Sequence, residues 1–198
     1  MVVAAERFVA SVDTVLEYAR AVNAGEIIAG PHVRKACKRH IDDLEHGHER
    51  GLWFDEAAAQ HALTFISYLN LEADKPFILD PFQVFIVGSL FGWKRTNGHR
   101  RFITAYVEIA KGNGKTPLWA AIGLLGVCAD GQARAEVYSA APTAPQSRIL
   151  YADAQSMVAS TPELATELRS LHTGITYGWS FFRPWSGEIG RASCRERV

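Results

Sequence analysis

Val107-Glu108-Ile109-Ala110-Lys111-Gly112-Asn113-Gly114-Lys115-Thr116 is the stretch on which the reading of this chain turns. Just before and into it, Phe102 to Ala110 (FITAYVEIA) is rich in β-branched and aromatic residues. It is apolar on both faces except at Thr104 and Glu108, the pattern of a central strand. After it, Leu118, Ile122 and Leu125 recur at helical spacing. Gly-Lys-Thr between a strand and a helix is the setting of a phosphate loop. Gly112 and Gly114 let the backbone turn with its N–H groups inward, and the helix N-terminus adds a positive dipole. Lys115 then reaches the outer phosphates of a nucleotide and Thr116 holds Mg²⁺. The common G-x-x-x-x-G-K-S/T spacing calls for a first glycine at 109, where this chain has Ile109, and Lys111 stands four residues before Lys115. The alternative is a glycine-rich turn whose Lys and Thr are merely exposed.

Downstream, Glu136 to Ala141 is a second strand, so strand, loop, helix and strand form a right-handed βαβ unit. A helix follows over about Thr143 to Val158, Thr161-Pro162-Glu163 starts another, and Gly174 to Pro184 alternates like a hairpin or edge strands. Upstream, Asp80-Pro81 opens a helix with Phe82, Phe85, Ile86, Leu90 and Trp93 on its buried face. Three further helices precede it. The first carries Phe8, Val12, Val15, Leu16, Ala19 and Val22 and ends near Asn23 to Gly25. The second follows Pro31 with Val33, Cys37, Ile41 and Leu44 on one face, and the third covers about Asp55 to Leu69 with Ala58, Ala62, Phe65, Ile66 and Leu69 inward. The organisation expected is a helical module over 1–70, an α/β domain over 71–189 and a non-native tail over 190–198. Gly190 to Val198 (GRASCRERV) is aperiodic and reads as a cloning or sequencing scar.

Composition sets the outer bounds. The 198 residues are 48% hydrophobic and 21% charged, which excludes disorder and a disulfide-stapled miniprotein. Lys plus Arg and Asp plus Glu are 21 each, so any contact with nucleic acid must come from a local patch. Cys37, Cys128 and Cys194 form neither a C-x-x-C pair nor a disulfide framework, and the N-terminus lacks a secretory core. The longest apolar stretch, Pro117 to Ala129, is short of a spanning helix, so a cytoplasmic chain with no membrane association is expected.

Other constellations carry less. Lys94, Arg95, His99, Arg100 and Arg101 flank a Thr96-Asn97-Gly98 turn, as a solvated loop or as a patch for DNA phosphates or a neighbouring subunit's nucleotide. His40, Glu45, His46, His48 and His61 match no zinc spacing and read as an exposed helix end. The tryptophans read as core or rim, and Ser139, Asp153 and His172 have no nucleophile-elbow context.

Three elements in order, LDPFQVFIVGSLFGWK (Leu79 to Lys94), VEIAKGNGKT (Val107 to Thr116) and AEVYSAAPTAPQSRILYADAQSMV (Ala135 to Val158), resemble the large terminase subunit of tailed double-stranded DNA phages. The resemblance runs from about Asn70 to Glu188. It implies the first part of a parallel-sheet P-loop NTPase core of the ASCE type, using ATP and Mg²⁺. Gln83 would recognise adenine, its amide offering a donor and an acceptor, unless it is a helix-surface residue. Lys111, Gly112, Asn113, Gly114, Lys115 and Thr116 would form a deviant Walker A loop, with Lys115 catalytic and Thr116 on the metal. Ala140 to Gln146 would be the segment coupling ATP state to DNA, with Gln146 on phosphate or DNA, or else a polar helix-start residue. The resemblance further implies double-stranded DNA, a small terminase subunit, a portal protein and further copies of the full-length chain as partners in the infected cell. In that family a strand ending in Asp-Glu, a coupling motif and a nuclease domain follow the loop. None follows it within these 198 residues, so an N-terminal fragment is expected, able at most to bind nucleotide weakly. The competing readings are another P-loop DNA translocase or helicase-like ATPase, and a non-catalytic helical DNA-binding or interaction module.

Overall fold

The computed structural model describes residues 8–73 and 75–187. The expectation for the tail therefore lies outside the described residues. The chain divides into two units: one runs to Ser67 and resumes over Ile78–Glu108, and the other takes Tyr68–Phe77 and continues from Ile109.

The first unit is helical, with α1 (Asp13–Ala24), α2 (Pro31–His46), α3 (Glu56–Ser67) and α4 (Pro81–Gly92). Between them β1 (Leu52–Phe54) pairs antiparallel with β4 (Trp93–Arg95). Helix α1 stops where Gly25 turns left-handed at φ 82°, and α2 and α4 both start on proline, whose missing N–H is no loss in a first turn. Two glycines of α4 are set by proximity. A Cβ on Gly88 would sit 2.4 Å from Val15 Cγ2, and one on Gly92 would sit 2.4 Å from Phe54 Cε2.

Several expected faces are redrawn. Phe8 lies outside α1 and is exposed. Ala58 and Phe65 of α3 are half-buried while Ala59 and Leu63 are core. Phe82, Ile86 and Leu90 of α4 are also half-buried, because the helix is apolar nearly all round and buries Val84, Phe85, Val87 and Phe91.

On α2, Val33 and Leu44 are exposed, and the buried positions are Cys37, His40 and Asp43. The reason is a polar core. Trp93 donates its indole N–H to His40 Nδ1 at 3.0 Å, and the rings of Phe54 and Phe85 meet the imidazole edge-on. Asp43 accepts from both Arg50 and Arg101, so its buried carboxylate is paired on both oxygens. His40 thus belongs to the core and not to an exposed helix end.

The second unit holds β2 (Asn70–Glu72), β3 (Lys75–Pro76), α5 (Lys115–Cys128), β5 (Glu136–Ala141), α6 (Ala144–Ser160), α7 (Pro162–Glu167), β6 (Arg169–Leu171), β7 (Gly174–Tyr177) and β8 (Ser180–Ser186). Its main sheet has the order β5-β8-β7-β6. β5 and β8 run parallel, from Glu136 opposite Phe181 to Ala141 opposite Ser186. β7 and β8 form the expected hairpin, turning at Gly178-Trp179, and β8 is central rather than an edge. The β2–β3 pair is tied in by Asn70, whose backbone N–H donates to Thr161 Oγ1 at 2.9 Å and whose amide donates to the Ser160 carbonyl at 2.7 Å.

The sheet is small and mixed, and it does not contain the strand expected ahead of the loop. Residues 103–110 have no assigned strand, and Ile103 and Tyr106 are 89% and 87% exposed. Composition makes a stretch suited to a sheet, but only pairing and burial make it a strand, and no described strand pairs with it. The parallel pair is instead β5 with β8, and the chain between them runs through α6, α7, β6 and β7.

Burial holds the His40 imidazole down to about pKa 4 from its ordinary 6.5; the charges of Arg101 and Arg39 push the same way and Asp43 opposes. Because the folded-state value is lowered, the contribution is complete above about pH 6.5 and is lost as the pH falls towards 4. The difference is worth roughly 3 kcal/mol. Urea midpoints measured between pH 7 and pH 4.5 are expected to fall accordingly. His40→Gln, which retains an acceptor for the Trp93 N–H, is expected to remove most of that slope, and an unchanged slope in the variant rejects the assignment.

Candidate nucleotide-binding loop

The loop is defined by its exit. Gly112 and Gly114 both take positive φ, 91° and 65°, and Gly114 is the residue from which α5 starts. A Cβ at Gly112 would meet nothing within 4 Å, so that glycine is present for conformation and not for space, and the left-handed φ of Gly114 sets the same conformational demand. The Leu118 N–H closes the first helical bond onto the Gly114 carbonyl at 3.1 Å, and the Asn113 amide reaches the Ala110 carbonyl at 3.4 Å. The first-turn N–H groups of Lys115 and Thr116 precede the i→i−4 ladder, and Pro117 has none to leave unsatisfied.

Lys111, Asn113 and Lys115 are exposed and Thr116 is half-buried. Among the described residues neither Lys111 nor Lys115 has an ion-pair partner. The two ammonium groups, the helix N-terminus and one hydroxyl therefore belong to a single six-residue stretch, 111–116, with no carboxylate among the described residues neutralising them. Such an arrangement can hold a multiply charged oxyanion.

The helix behind the loop is firmly placed. Leu118, Ala121, Leu124 and Leu125 are buried, and Gly123 lets the Phe182 ring of β8 approach so closely that a Cβ would stand 2.7 Å from it. Ile122, on the helical repeat of Leu118 and Leu125, is half-buried and faces a hollow of about 390 Å³ between α5, β5 and the start of α6. Trp119, Ser139, Gln146 and Phe182 also line this hollow. Gln146 is thus an exposed first-turn residue of α6 in the same unit as the loop. Trp119, one turn on from Lys115, is a rim residue as expected. Its helical spacing from that lysine is the signal that marks it as belonging to this face.

Gln83 lies in the first unit and is only 2% exposed, so it is not a helix-surface residue. Its Oε1 accepts the Asp80 backbone N–H at 3.0 Å, closing the start of α4. Asp55-Glu56 does follow the short apolar strand β1, but Asp55 accepts the Ala58 N–H at 3.0 Å and opens α3. Ser139 donates its hydroxyl to the Ser147 carbonyl at 2.9 Å and not to a histidine. Among the described residues no group of three or more His, Cys, Asp or Glu side chains could hold a metal ion. No described helix is long and apolar enough to cross a membrane.

A glycine loop opens a helix that packs on a small mixed sheet, and the class these define is an α/β protein. Residues 81–187, more than half of the chain, match the family model of the terminase large subunit, ATPase domain, and the chain belongs to this family. The fold is similar to that of the HK97 bacteriophage large terminase, seen in its crystal structure. The TM-score is 0.57 at 23% identity, over 66% of this chain and 27% of that one. No curated protein matches the chain.

Gly114→Ala places a Cβ on a backbone at φ 65°, a strain of about 1 kcal/mol, and is expected to lower the urea midpoint correspondingly. A gain in stability, the usual result where alanine fits the backbone, would show that the left-handed start of α5 is not kept.

Proposed function

We propose that this chain is the nucleotide-binding part of an ATP-driven motor that moves double-stranded viral DNA into a procapsid. The single observation that carries the reading is Gly112-Asn113-Gly114-Lys115-Thr116 turning into the N-terminus of α5, with neither Lys111 nor Lys115 ion-paired among the described residues. Membership of the terminase ATPase family supports ATP as the substrate and Mg²⁺ as the ion.

In this reading the N–H groups between Gly112 and Thr116 bind the β and γ phosphate oxygens, and Lys115 neutralises charge that develops during transfer. Lys111 adds a second cation on the other side of the turn. Mg²⁺, when bound, spreads the charge of the phosphates. Thr116 fits it as a single hydroxyl ligand, the usual share for an ion held chiefly by substrate oxygens and water. By the family resemblance Gln83 is the adenine-recognising glutamine, and Gln146 passes the state of the site towards DNA. The further partners are a small terminase subunit, a portal protein and other copies of the full-length protein, in the cytoplasm of an infected cell. These 198 residues contain no Asp-Glu pair after the loop to position the attacking water, and taken by themselves they are expected to bind nucleotide without turning it over.

Lys115→Ala removes a charge-assisted contact and is expected to weaken ATP binding at least about tenfold, with circular dichroism unchanged. Unchanged affinity sinks the reading in favour of an interaction module. Thr116→Ala is expected to abolish the dependence of binding on Mg²⁺. Phosphate release by the unaltered chain is expected to match the buffer blank, and steady turnover contradicts the stated need for the acidic pair.

A further inference from the structure

A second hollow of about 390 Å³ lies wholly within the first unit, lined by Arg50, Gly51, Leu52, Arg95, Thr96, Asn97 and Arg101. Three guanidinium side chains converge on it from two places in the chain, the turn after α2 and the β4 hairpin. The sequence cluster at 94–101 contained two of them and left out Arg50.

Each of the three is held in position. Arg50 and Arg101 grip the two oxygens of Asp43, whose side chain is 1% exposed. Arg101, 14% exposed, also lies over the rings of Trp93 at 5.4 Å and Phe102 at 5.0 Å. Arg95 donates to the Arg101 carbonyl at 3.4 Å, and its own carbonyl accepts the Trp53 indole N–H at 3.2 Å. The turn that closes the hollow is fixed as well: Asn97 Oδ1 accepts the His99 N–H at 3.1 Å, and the Gly98 N–H reaches the Arg95 carbonyl at 2.8 Å.

One carboxylate faces three guanidinium groups, so positive charge remains on a preorganised set of forked donors. That is the chemistry of an oxyanion site. Arg39 extends it, lying 5.2 Å from the same Phe102 ring that Arg101 covers. A run of fixed cations beyond a single hollow suits a chain of regularly spaced phosphates better than one small anion. We propose that the Arg50, Arg95 and Arg101 hollow binds a backbone phosphate of nucleic acid. The choice of DNA as the probe rests on the motor reading above, whereas the site itself rests on this geometry.

The test measures binding of the whole 198-residue chain to a fluorescent duplex of about 20 base pairs by anisotropy, without nucleotide, across a salt series. Arg95→Gln leaves the Asp43 bridges intact, and Asn97→Asp keeps the turn acceptor while placing a carboxylate in the hollow. Each is expected to weaken binding about tenfold at low salt, and Arg95→Gln to reduce the salt slope by about one. Arg20→Gln, on the exposed side of α1, is expected to change nothing. The proposal is overturned if both hollow variants bind as the unaltered chain does, or if Arg20→Gln loses as much as they do. It is equally overturned if inorganic phosphate shifts the melting temperature through Arg95 while the duplex does not bind. Polyglutamate bound with the same dependence on Arg95 would assign the hollow to an acidic protein instead. Since no nucleotide is present, failure here leaves the Lys115 experiment untouched, and failure there leaves this one readable.

Discussion

The close approach of α5 to β8 is the constraint on which the candidate site depends. Gly123 has no side chain because the Phe182 ring occupies that space, and Phe182 is in turn held by its register opposite Ile175 and by the edge of Tyr151. With the middle of α5 fixed in this way, its N-terminus is placed to within the stiffness of a helix, and the loop has only to supply backbone N–H groups. The same helix therefore shows two separate uses of glycine. At 123 it is required by a neighbour, and at 112 and 114 by left-handed backbone dihedrals.

The first unit is organised around a buried charge. Removing a carboxylate from water costs several kcal/mol unless both oxygens are paired, and Asp43 has an arginine on each. The pairing keeps Asp43 ionised, its pKa lowered by Arg101 and Arg50 against the opposing effect of burial. It also fixes two guanidinium groups at one place on the surface. Stability and a positive, preorganised hollow are thus consequences of one interaction, and a substitution at Asp43 would remove both together.

Local chemistry was legible in the sequence and long-range pairing was not. The proline starts at 31, 81 and 162, the helix end near Gly25 and the strand at 136–141 all follow from residues that act on their own backbone, and the alternation over 174–184 allowed the hairpin without placing its turn. The loop at 112–116 was legible for the same reason. The inner face of α2 was hidden because hydrophobic periodicity scores His40 and Asp43 as solvent-facing, whereas their partners Trp93 and Arg101 lie more than fifty residues away. Arg50 could not be grouped with Arg95 and Arg101 from the sequence, since only the β1–β4 pairing brings those segments together.

The stretch ahead of the loop shows why the helical side matters more. Phe102 to Ala110 has the composition of a buried strand, yet Ile103 and Tyr106 are nearly fully exposed and no described strand supplies a ladder. A residue's preference for sheet is a preference for packing against cross-strand neighbours, and without them it yields extended chain and nothing more. The positions of Lys115 and Thr116 must then be owed to α5, through Gly114 at one end and the Gly123–Phe182 contact in the middle. Lys111, on the far side of the turn, has no such anchor, so the two lysines are unequal. The one on the helix is placed by the fold, and the one before it is placed by the two glycine dihedrals that follow it.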